Sequence, residues 1–74
     1  MSDGTSEFGI SNLEYDLVTT LSNLLEGQEV LEEYTADAEE AGDSEAAAIF
    51  RKIQTNNQEA AMRIRSTLGR LITQ

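Results

Sequence analysis

From Leu13 onward apolar side chains return every three or four positions: Leu13, Leu17, Leu21, Leu24, Leu25, Leu31, Tyr34, Ala38 and Ala41. At 3.6 residues per turn that spacing draws one stripe along a helix. A second stripe follows, through Ala46, Ile49, Phe50, Ile53, Ala60, Ala61, Ile64, Leu68, Leu71 and Ile72. Between them Gly42 supplies the permissive backbone of a helix C-terminus, and Asp43 or Ser44 can cap what comes next. Upstream, Ser11 and Glu14 have capping-box spacing, in which hydroxyl and carboxylate satisfy amides orphaned at a helix start. The pattern predicts helix 1 over about 12–41 and helix 2 over about 44–73, each about 45 Å long at 1.5 Å per residue. No proline interrupts either helix, and Gly27 and Gly69 are weak points costing about 1 kcal/mol each relative to alanine. Residues 1–10, small and polar with no usable period, read as a flexible N-terminal tail.

The expected fold is therefore all-α, an antiparallel two-helix hairpin, because the turn is too short for any other arrangement. A chain of 74 residues is one domain at most, and two helices side by side offer each other a single seam. Such a chain needs help to bury its apolar surface. With no cysteine and no histidine, disulfide staples and thiolate or imidazole metal sites are excluded. Self-association is the remaining solution, and two hairpins completing a four-helix bundle is its simplest form.

Charge sharpens that picture. The formal net charge is -9, but the thirteen acidic residues up to Glu45 face no basic one, whereas Arg51, Lys52, Arg63, Arg65 and Arg70 follow with only Glu59 against them. Opposite halves attract across an antiparallel hairpin, and the acidic balance repels phosphate backbones, so a nucleic-acid partner is not expected. No run approaches the roughly 18 apolar residues of a membrane span, and the first residues lack the basic start and apolar core of a signal peptide. A cytoplasmic protein with no membrane partner is the expectation.

Two polar residues interrupt the stripes. If the chain folds back about Gly42 and Asp43, Gln28 and Asn57 lie equally far from the turn and face each other across the seam. A polar layer of this kind fixes register and oligomer number. The core and oligomer seam around it is expected to comprise Leu17, Leu21, Leu24, Leu31 and Tyr34 with Phe50, Ile53, Ile64, Leu68 and Leu71. The other reading of the layer is a remnant ligand site at mid-bundle.

The run Tyr34, Ala38, Ala41, Gly42, then Ala48, Phe50, Ile53 and Ala61 resembles the helix–turn–helix half of rubrerythrin and related ferritin-like proteins. The resemblance covers about half the chain. It implies a half-bundle whose metal ligands would be a glutamate seven residues before the tyrosine and a Glu-x-x-His seven and ten residues after the phenylalanine. Those positions hold Gly27, Asn57 and Ala60, so the resemblance implies the shape without the di-iron chemistry. A carboxylate-only site could still be drawn from Glu26, Glu29, Glu33, Asp37 and Glu40, since hard cations accept oxygen ligands alone. The same spacing describes an ordinary solvated helix face.

Catalysis is not expected. Hydroxyls abound, but no histidine or thiol stands ready to activate or replace them. The glycines are too scattered for a phosphate loop. The function expected is a non-catalytic interaction protein whose partner is itself, as a homodimer or higher even oligomer, without cofactor. Two rivals are a ferritin-like metal binder using carboxylates and a small adaptor or chaperone that receives a helix of another protein.

Overall fold

The computed structural model describes residues 10–73, so the expected tail falls outside them except for Ile10. Two helices of 29 residues, α1 (Asn12–Glu40) and α2 (Ser44–Ile72), make up an antiparallel hairpin. At the start of α1 the Ser11 hydroxyl accepts from the Glu14 amide at 3.0 Å, and the Ser11 amide donates to Glu14 Oε1 at 3.1 Å. Both halves of the capping box are formed, in a pattern worth about 1 kcal/mol.

The turn economises on residues. Gly42 adopts φ 76, the left-handed region where a side chain would be strained. Its amide donates to Glu39 O at 3.0 Å while that of Asp43 reaches back to Ala38 O at 2.9 Å, which is the paired closure of a Schellman motif. Asp43 then turns outward, and its carboxylate accepts from the Ala46 amide at 2.9 Å to cap α2. One residue thus ends the first helix and begins the second, and the reversal is fixed by backbone chemistry before any side chain packs.

Along both helices most of the less exposed positions recur by heptads: 14, 17, 21, 24, 28, 31, 35 and 38 on α1, then 47, 50, 54, 57, 61, 64, 68 and 71 on α2, with 27, 46, 60 and 67 half-buried beside them. That is the a and d pattern of an antiparallel coiled coil. The Asn57 amide nitrogen donates to Gln28 Oε1 at 3.3 Å, which sets these two residues level. Stepping by heptads from that pair places Leu24 level with Ala61, Leu21 with Ile64, Leu17 with Leu68, and Thr35 with Phe50.

Only Thr35, Ala38 and Ala47 are buried among the described residues, and all three are small. The Thr35 hydroxyl is satisfied by Leu31 O at 2.8 Å. Every leucine and isoleucine of the seam keeps part of its surface in water. The radius of gyration, 16.7 Å, exceeds the roughly 11 Å of a compact domain of this length. The two apolar stripes are also wider than the seam. Leu13, Leu25, Tyr34, Ile49, Ile53 and Ile72 lie outside the heptad core and are more exposed than the seam leucines. A single partner helix covers an arc of two positions in seven, and the sequence offers it three or four.

Candidate functional site

At mid-height the seam is polar over two successive layers. Gln28 Nε2 donates to the backbone carbonyl of Gln54 at 3.0 Å, and Gln54 Nε2 returns to the carbonyl of Gln28 at 3.5 Å. With the bond from Asn57, Gln28 makes a clasp in which its amide oxygen accepts and its nitrogen donates across the same helix pair. The apolar stripes alone do not single out Gln54. Its place three residues before Asn57 is the heptad signal that identifies it. The clasp closes the floor of a groove of about 670 Å³ that also takes in Leu25, Glu32, Met62 and Arg65.

Because Gln28 carries two of these bonds and Asn57 shares only one, their replacements should differ. Gln28→Leu is expected to lower the free energy of unfolding by about 2 kcal/mol and Asn57→Leu by about 1 kcal/mol. The double replacement should fall short of the sum by about 1 kcal/mol, since one bond is counted twice. Urea denaturation of the four proteins measures the coupling. Strict additivity would mean that the two amides do not meet in solution.

The flanks of the seam differ sharply. On one side lie Val18, Leu25, Glu32 and Glu39 of α1 with Arg51, Gln58, Arg65 and Ile72 of α2, and Arg51 pairs there with Glu39. Half of those positions are ionised. The other side has Leu13, Thr20, Gly27, Tyr34 and Ala41 against Ala46, Ile53, Ala60 and Thr67. No charge occurs on it. There the Tyr34 ring lies 5.7 Å from that of Phe50, tilted by 52°, within the preferred range for aromatic pairs. At its waist Gly27 stands within two residues of the level of Ala60, and a methyl group built on Gly27 would meet nothing within 4 Å. The hairpin's own packing therefore does not require glycine there.

Further out, this uncharged flank is rimmed by Asp16, Asn23, Val30 and Asp37 on α1 and by Ile49, Asn56, Arg63 and Arg70 on α2. Among the expected seam residues, Leu17, Leu21, Leu24, Leu31, Phe50, Ile64, Leu68 and Leu71 stand on the heptad core. Tyr34 and Ile53, 49% and 40% exposed, stand on the uncharged flank instead.

Where the ferritin-like resemblance would place metal ligands, the side chains offer little to a cation. Gly27 and Ala60 carry no donor atom, and the Asn57 amide is bonded to Gln28. The carboxylates Glu26, Glu29, Glu33, Asp37 and Glu40 are exposed. Among the described residues no group of three or more acidic side chains comes close enough together to hold a metal ion. No helix of the described residues is long and apolar enough to cross a membrane. No protein-family model matches the chain, and neither the curated proteins nor the solved structures contain a match.

Proposed function

We propose that this chain is a non-catalytic, self-associating protein in which two hairpins pack through their uncharged flanks into a four-helix bundle. The observation that carries the reading is that flank itself. It runs along both helices without a charged residue and holds Leu13, Tyr34 and Ile53, each at least 40% exposed in the isolated hairpin. Bundle helices bury the a, d and one adjoining position of each heptad. This flank serves better, because burying the other would take Glu32, Glu39, Arg51 and Arg65 out of water, with a desolvation penalty of several kcal/mol per ion that the Arg51–Glu39 pair offsets only in part.

Exposed area points the same way. On that flank and its rim Leu13, Val30, Tyr34, Ile49 and Ile53 are each at least 40% exposed. The acidic outer face of α1 keeps the assembly hydrated, and the absence of histidine and cysteine supports a role in assembly rather than in chemistry. The function is then that of a small scaffold working inside the cytoplasm, without cofactor.

Sedimentation and chemical denaturation test the reading together. The mass should be twice 8.1 kDa or a higher even multiple. The unfolding free energy should rise by about 1.4 kcal/mol per tenfold increase in protein concentration, as mass action requires of a dimer that folds on association. A cooperatively folding monomer with a concentration-independent midpoint would overturn it. A monomer that gains helicity only on adding a foreign amphipathic helix would favour the adaptor reading instead.

A further inference from the structure

We propose that the two hairpins pair about a two-fold axis running along the helices, so that both turns lie at the same end and each α1 packs against its partner's α2. This orientation rests on the homodimeric reading above. Two uncharged flanks stacked face to face by a two-fold axis have two choices. An axis along the helices sets α1 over the partner's α2, whereas an axis across them sets α1 over the partner's α1 and sends the turns to opposite ends.

Charge separates the two. Helix α1 carries nine carboxylates and no basic residue, and α2 carries five basic residues against Glu45 and Glu59. Turns at opposite ends would lay an acidic helix along an acidic helix for its whole length. Turns at the same end put every helix beside one of opposite sign, which makes the flank complementary to itself. The rim follows suit, with Asp16 and Asp37 on α1 and Arg63 and Arg70 on α2.

Register supplies a second argument. Rotation about an axis along the helices leaves every residue at its own height, so the levels set within one hairpin by Gln28 and Asn57 carry over between copies. Tyr34 then stands within two residues, about 3 Å, of the level of the partner's Ile53, and Thr20 and Gly27 stand equally near the partner's Thr67 and the partner's Ala60. Each layer is matched in kind: a ring with a branched aliphatic chain, hydroxyl with hydroxyl, small with small. The empty space above Gly27 lets the opposing backbone approach at mid-height. On the rim, Asp16 comes within one residue of the level of the partner's Arg70.

The chain lacks cysteine, so single nitroxide labels can be placed at will. Ser44→Cys marks the turn and Thr73→Cys the open end, both exposed. With dimer mass verified first, pulsed electron-spin distances are expected at about 15–30 Å within each labelled dimer, as set by the diagonal spacing of the two α2 helices across the bundle and by label length. A mixture of the two variants should add a long distance of about 44 Å, the length of a helix of this size. Long distances in each single variant with a short one in the mixture, at intact dimer mass, would overturn the orientation and leave homodimerisation standing. Monomer mass without dipolar coupling would overturn both.

Discussion

Ile64→Asp is expected to leave the chain without a cooperative unfolding transition and largely without helix at about 10 µM. Ile64 stands on the heptad core of α2, half-buried and level with Leu21. Its replacement forfeits about 1.5–3 kcal/mol of apolar burial and sets a carboxylate against a leucine seam that has no cation to receive it. A chain of this length has only about 4–11 kcal/mol of stability to lose, and the fault recurs in each copy of a dimer. Ser66→Asp, two residues on and exposed, is the control and should stay within about 0.5 kcal/mol of the parent. Circular dichroism with urea titration decides between them. A cooperative transition for Ile64→Asp within about 1 kcal/mol of the parent would mean that Ile64 does not face the seam in solution.

The second large effect separates the two flanks. In one hairpin Ile53 and Leu25 are alike, 40% and 57% exposed, and a glutamate at either site could reach water. The proposed association through the uncharged flank would make them unlike. Ile53→Glu is expected to raise the dimer dissociation constant by at least about a hundredfold, because two new carboxylates enter the interface desolvated and unpaired. Leu25→Glu should change it by less than about threefold, since that flank already carries Glu32, Glu39, Arg51 and Arg65. Sedimentation over a concentration series gives both constants. The reverse ranking would move the interface to the charged flank, and equal weakening would mean that neither flank is the one covered.

Much of the hairpin is local chemistry, and local chemistry is readable in one dimension. Ser11 and Glu14 satisfy each other's amides three residues apart, and the turn needs only a residue free to take positive φ followed by a capping carboxylate. Helix bounds from such signals are good to a residue or two. The facing of Gln28 and Asn57 follows equally from counting outward from the turn, because both helices advance by the same rise per residue.

Gln54 and the division of the flanks needed more. A helical stripe of period 3.6 and a heptad seam of period 3.5 diverge by only about 20° per heptad, so apolar spacing alone does not tell a core position from its neighbour. Tyr34 and Ile53 share the stripe with Leu31 and Phe50, but they stand one step outside the seam once the pairing is drawn. Gln54, read singly, is one more polar residue on a helix. It becomes part of the clasp only because its backbone carbonyl and side chain lie across from Gln28.

What the chain determined by itself is what nearest neighbours along it enforce: two helices, their caps, the reversal at Gly42 and the acidic and basic character of each half. Tertiary structure decided which side of each helix is left uncovered. That choice depends on pairing residues about thirty positions apart, such as Gln28 with Asn57, and pairing sorts the positions beside the seam into two flanks. One flank gathers the ions and the other has none, and desolvation makes the difference between a surface that stays in water and one that a second copy can cover.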